Sequence, residues 1–470
     1  MSLSTIAKVI VPYSARTAPV QRTIPTVAFW TIFVLGTAAG GYYVKQVLDM
    51  PQMMMHLSDL SVYQIAGNRV ADGISVYDTP LLGYTRGVWE FVYTPFAALL
   101  FVPLGELQGV LYTFVGAFGN FAMLTASVWA ALTILGYRRD MRLALAGLSI
   151  AGVLLWCEPV RQTMAFGQIN ILLLLLVLAD MALPDSSRWK GVLTGIAAGI
   201  KLTPAFFVIY LLVSGRYRAA ASAIDAFAAT VLIGFLAMRK DSLTFWSGAF
   251  ADPTRVGVPE NPSNESLRGM VARTVGVDGS RQLLWLAGAV AIATACLFLA
   301  RRLSLTGHEL PAVVLCGLTT TAVSPYSWVH HWVWLAPLLI YLTDLALRRR
   351  GVVAGIGLTA AVVVTSGGVL AFFGRTVGTI LDYGSHGNLE VFYRNAYIWL
   401  TLALFGAAAV YLRRSAERTP ATFALPIPST GISVRGLSAA MTGRSAERSD
   451  QRSVNGTRKC QGPLSTKNPR

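Results

Sequence analysis

Long apolar runs recur along the chain, broken in turn by short basic clusters and by longer polar segments. The first covers residues 27–47, and runs near 109–136, 219–238 and 283–300 are of similar character. Stretches of this length cross a hydrocarbon core as helices, and they lack the ten-residue alternation of an outer-membrane barrel. The pattern predicts an all-α polytopic membrane protein. Placing Lys and Arg on the cytoplasmic side orders its elements. Residues 1–26, "YRRDMR" (137–142), "PDSSRWK" (184–190), Arg301 with Arg302, "RRRG" (348–351) and "LRRS" (412–415) then fall inside. Segments 48–108, 239–281 and 372–396 fall outside, with "CEPVRQTMAFGQIN" (157–170) and "SPYSWVHHWVW" (324–334).

Two segments break the pattern. "YTPFAALLFVPLGEL" (93–107) is apolar but short and holds two prolines. It reads as an interfacial or re-entrant helix. "GVLTGIAAGIKLTPAFFVIYLLVSGRYR" (191–218) has Lys201 followed by Pro204 at its centre. Two half-length helices with Lys201 near the outer tip fit both residues, since broken helices at membrane depth line cavities. One full span with Lys201 buried against a partner is the alternative. With the half-helices included, roughly twelve membrane elements form a body over 27–412, with a basic tail over 413–470.

Composition agrees. The 470 residues are 54% hydrophobic and only 13% charged, with a mean hydropathy of +0.55, too little charge to cover a soluble protein of this size. The net charge is +16. Much of the excess lies in the tail, which has almost no apolar periodicity and is expected to be disordered. A solvated tail beside anionic headgroups is preferred to a nucleic-acid partner. Cys157, Cys296, Cys316 and Cys460 show no metal spacing. The run 27–47 has no cleavage site after it and reads as a signal anchor.

This topology gathers Asp59, Gln168, Asn170, Lys201, Glu265, Arg268, Trp328, His330 and His331 on the outer side. Each has a plain structural reading. Asp59 could cap a helix as readily as serve as a base. His330 and His331 could belong to an aromatic interface belt. Gln168 and Asn170 could bond between helices, and Glu265 with Arg268 could be a loop ion pair of small effect. Their convergence on one face favours a site. The chain has no phosphate-binding loop, dinucleotide fingerprint or H-E-x-x-H motif. A carboxylate base, cations and aromatics at a membrane face suit sugar transfer from a lipid phosphate. The carboxylate takes a hydroxyl proton, and Lys, Arg or His balances the departing phosphate. Tyr63, Tyr93 and Trp328 offer faces to sugar and lipid.

"SDLSVYQIAG", "FVYTPFAALLFVPLG", "GQINILLLLLVLAD", "GIAAGIKLTPAFFVIYLL", "NESLRG" and "SPYSWVHHWVW" occur in this order over most of residues 50–340. Together they resemble glycosyltransferase family 87, the polyprenol-phosphate-mannose-dependent α-1,2-mannosyltransferases of the GT-C fold class. The resemblance implies an inverting transfer of mannose from polyprenyl-phosphate-mannose. The implied acceptor is the 2-hydroxyl of a phosphatidylinositol mannoside or related glycolipid. It places the family's essential Asp at Asp59, its Lys at Lys201, and its S-W-x-H-H motif at Ser327, Trp328, His330 and His331. Either histidine could enter the site, with His331 preferred as the catalytic one and His330 as a binding residue. Neither metal nor cofactor is implied, and the active site would face the extracytoplasmic side of the plasma membrane. Lipomannan-branching and arabinofuranose-transferring relatives share much of the pattern. A secondary transporter is the alternative outside the enzymes.

Overall fold

The computed structural model describes residues 21–83, 89–349, 351–367 and 389–418. Most of the expected 372–396 loop, with His386, and the tail beyond 418, with Cys460, lie outside the described residues. Helix dominates, and two isolated bridges are the β-type pairings among the described residues.

The long apolar runs form long helices: α1 (Thr26–Asp49), α4 (Gly109–Ile134), α10 (Tyr217–Ala237), α13 (Gly279–Leu305) and α18 (Ala396–Arg418). Each is long and apolar enough to cross a membrane. Between α1 and α4 lie α2 (Ser58–Ala71) and α3 (Pro95–Phe101). The α3 segment is the expected short Pro-containing helix. It starts at Pro95, where a missing N–H costs nothing. The Thr94 hydroxyl caps it by accepting from the Ala97 N–H at 3.1 Å. Ala97, Ala98 and Phe101 are buried, so this helix packs into the body.

The segment after α5 (Met141–Leu154) departs from expectation. Residues 157–170 are not a plain connection. They form α6 (Glu158–Phe166), bent 88° from α5. Next come α7 (Asn170–Met181), α8 (Val192–Ile200), α9 (Phe206–Val213) and α11 (Arg239–Ser247). Later elements are α12 (Leu267–Val275), α14 (Glu309–Val323), α15 (Leu335–Arg349), α16 (Val352–Thr365) and the short α17 (Glu390–Tyr393). Counting the bent pair, up to six elements are full spans, and several other apolar helices run only 10–17 residues. Helix length alone therefore does not reproduce twelve membrane elements.

The 191–218 segment is a hairpin of two half-length helices. A Cβ on Gly191, Gly195 or Gly199 would strike Ala219, Ala223 or Thr230 respectively, so α8 runs alongside α10 in the same direction. The chain then breaks at Lys201, whose backbone is extended (φ −145°, ψ 135°), and α9 returns. Both feet share one carboxylate. Lys190 Nζ lies 3.3 Å and Arg216 Nε 3.1 Å from Asp185 Oδ1.

That foot belongs to a continuous polar end of the molecule. Arg216 also bonds Glu309 at 2.6 Å. Lys190 donates to the Leu183 carbonyl at 2.6 Å, and Arg139 donates to the Ala182 carbonyl at 3.2 Å. Nearby, Tyr137, Arg22 and Arg348 converge on Asp344. Basic clusters far apart in sequence thus share one end of the helical body, as the charge pattern predicts. α8 and α14 start at this end and finish in the cavity described next.

Candidate active site

A cavity of about 700 Å³ opens where α2, the turn before α7, the α8–α9 tip and the turn before α15 meet. Its size is typical of a specific small-ligand site. Asp59 lines it from the first turn of α2. The helix starts without a side-chain cap, so Asp59 is not the N-cap. Leu57, just before it, is the one non-glycine residue with positive φ (51°) among those described. The Tyr112 hydroxyl donates to the Leu57 carbonyl at 3.0 Å and pins this turn. Asp59 Oδ2 is buried with no hydrogen-bond partner among the described residues. Burial pushes its carboxyl up to about 7, against the opposing pull of the Lys201 ammonium and a hydrogen bond from Gln168.

Gln168 is held from three sides. Its Oε1 accepts from the Tyr63 hydroxyl at 2.8 Å, the Tyr93 hydroxyl at 3.2 Å and Asn170 Nδ2 at 3.4 Å. With Oε1 occupied, its Nε2 is the group left to face the carboxylate. Asn170 also donates to the His330 carbonyl at 3.1 Å. "GQIN" is thus a scaffold, placed by the left-handed Gly167 (φ 68°) that ends α6.

Lys201 Nζ lies 3.4 Å from Asn170 Oδ1, 3.2 Å from His331 Nε2 and 5.3 Å from the Tyr93 ring centre. His331 Nδ1 accepts from the Trp328 N–H at 3.3 Å. In the neutral imidazole the proton is therefore on Nε2. The ammonium and this N–H cannot bond each other, so at 3.2 Å they present two donors side by side on the cavity wall. His330 also lines the cavity, its ring stacked 6.2 Å from Trp328 and its buried Nε2 without a partner among the described residues.

Asp59, Tyr93, Gln168, Asn170, Lys201, Trp328, His330 and His331 come together on the cavity wall. Tyr63 stands behind it, bonded to Tyr93 at 2.8 Å. Glu265 and Arg268 do not line it. Arg268 lies over the Trp285 ring at 5.4 Å. The Glu265 N–H donates to the Ser327 carbonyl at 2.7 Å, and Asn264 Oδ1 accepts from the Ser327 N–H at 3.1 Å. "NES" therefore braces the histidine turn from behind. Burial raises the Glu265 carboxyl well above its ordinary range. Sequence reasoning did not mark Arg255 or Glu90 as wall residues. Both line the cavity on irregular loops, where no periodicity marks them.

The sequence model of glycosyltransferase family 87 matches residues 91–325. A Mycolicibacterium smegmatis polyprenol-phosphate-mannose-dependent alpha-(1-2)-phosphatidylinositol mannoside mannosyltransferase is 32% identical, over 73% of this chain and 82% of its own. The chain belongs to glycosyltransferase family 87. Its Mycobacterium tuberculosis relative of the same name is 33% identical over 65% of this chain and 74% of that protein. A second M. smegmatis relative, named as a phosphatidylinositol pentamannoside mannosyltransferase, is 31% identical over 79% of this chain and 87% of its own. No solved structure matches the chain. Family 87 membership makes the protein a glycosyltransferase with the GT-C fold, which sets aside the transporter alternative.

Proposed function

We propose that this chain is an inverting mannosyltransferase that moves mannose from polyprenyl-phosphate-mannose to a 2-hydroxyl of a phosphatidylinositol mannoside. The reaction takes place at the outer face of the plasma membrane. The observation that carries the reading is the pairing, in one cavity, of a partly unbonded buried carboxylate with two cationic or N–H donors. Asp59 accepts the proton of the acceptor hydroxyl as its oxygen attacks the anomeric carbon. The bond from that carbon to the phosphate oxygen breaks, and polyprenyl phosphate leaves with the electron pair. Backside attack converts the β-linked donor to an α-linked product. Lys201 and the His331 Nε2–H supply hydrogen bonds to the departing phosphate, where negative charge grows. A base that ionises near 7 is matched to neutral operating conditions. The names of the relatives support this donor and acceptor, and the basic clusters at the opposite end support an outward-facing cavity.

The test is Asp59→Asn, assayed with purified protein, polyprenyl-phosphate-mannose and phosphatidylinositol mannoside, with product linkage read by mass. Transfer should fall about a hundredfold or more, the scale of losing a positioned base, while donor binding and melting temperature hold. Transfer close to wild type would remove Asp59 from the mechanism.

A further inference from the structure

The cavity contains an ionic pair that the transfer step above does not use. Arg255 Nη2 lies 2.9 Å from Glu90 Oε2. Arg255 sits on a turn over Pro253–Arg255, and Glu90 follows the bridge between Leu82 and Trp89. The guanidinium also reaches the Tyr77 carbonyl at 3.3 Å and lies 5.8 Å from the Tyr77 ring centre. A pair that only braced two loops would be closed off. Here both residues line the cavity, and their side chains are 15% and 27% exposed.

We propose that Glu90 and Arg255 form the subsite that grips the hydroxyls of the acceptor sugar. This rests on the transferase reading above and names the site of its second substrate. The charge balance selects the ligand class. A phosphate calls for unneutralised cations, which Lys201 and His331 supply elsewhere in the cavity. Arg255 is already neutralised by Glu90. A paired carboxylate and guanidinium with leftover lone pairs and N–H groups matches a neutral polyol, whose hydroxyls both donate and accept. Trp89, adjacent to Glu90 on the same wall, supplies a flat apolar face for a sugar ring.

The experiment uses Glu90→Gln and Arg255→Lys in the full chain. A charge-free double variant, Glu90→Gln with Arg255→Gln, covers the case in which a lone buried charge unfolds the protein. Two measurements are made on each: binding of methyl α-D-mannoside by tryptophan fluorescence, and KM for each substrate separately. Mannoside binding and acceptor affinity should weaken about tenfold or more, the scale of a lost charge-assisted hydrogen bond, with donor KM within about twofold of wild type. A rise in donor KM with acceptor KM unchanged would overturn the proposal and assign the pair to the donor. Unchanged mannoside binding in the variants, or none in the wild type, would also overturn it. Mannoside binding that is lost in the variants of a protein unable to use polyprenyl-phosphate-mannose supports the subsite and sinks the donor reading.

Discussion

Two residues into a helix, a carboxylate is normally welcome, because the unpaired N–H groups and the helix dipole favour negative charge there. Asp59 gains little of this, since burial outweighs its neighbours and holds its carboxyl near 7. Below that value the carboxyl is protonated and cannot accept a proton, so kcat/KM for transfer should rise with pH through about 7. Lys201 pulls this value down. Lys201→Met should therefore move the acid limb upward, besides weakening donor use. The pH profile separates these effects, because a lysine that only held the phosphate would change KM and leave the limb in place. Asp59 as a candidate was legible in the sequence, as the carboxylate of "SDLSVYQIAG", which follows the first apolar run. Its burial was not, since that depends on α6 and α7, more than 100 residues later.

At the scale of elements, the Asp59 turn is built against glycine. A Cβ on Gly167 would stand 2.8 Å from Leu60 Cβ, and Gly167 itself has positive φ. Gly167→Ala thus meets a left-handed backbone penalty of about 1–2 kcal/mol and an overpacking cost of about 1–3 kcal/mol. We expect a lower melting temperature and reduced transfer, because Asp59 on one side and Gln168 on the other both shift. A thermal melt alongside an activity assay checks this. The α8–α9 hairpin was legible because a lysine and a proline inside an apolar run cannot continue one helix. The turn into α6 was missed although its signals were present: Pro159 in the first turn and Gly167 just past the end mark a short helix. The charge alternation placed that stretch on the outer side and said nothing of its local structure. Arg255 and Glu90 carried no such signal, because only folding brings residue 255 to residue 90.

At the scale of the whole molecule, the proposed orientation rests on charge. Asp185, Lys190, Arg216 and Glu309 tie the feet of α8, α9 and α14 into one polar end, to which Arg139 is linked through the carbonyl of Ala182. α8 leaves that end and reaches the cavity at Lys201. The orientation proposed above puts this ionic end, with its excess of Lys and Arg, on the cytoplasmic side and the cavity on the outer side. Cysteine labelling with a membrane-impermeant thiol reagent in intact cells tests this, in a background with the native cysteines replaced. Ser186→Cys sits in the exposed loop at the ionic end, and Val258→Cys sits in the exposed loop that leads away from Arg255. Position 258 should label and position 186 should stay dark until the cells are opened. Labelling at 186 alone would reverse the orientation and put the cavity out of reach of a donor presented on the outer leaflet. The cavity itself would be unchanged, so Asp59→Asn would still lower transfer by purified protein about a hundredfold or more. Site chemistry and membrane orientation can thus fail independently.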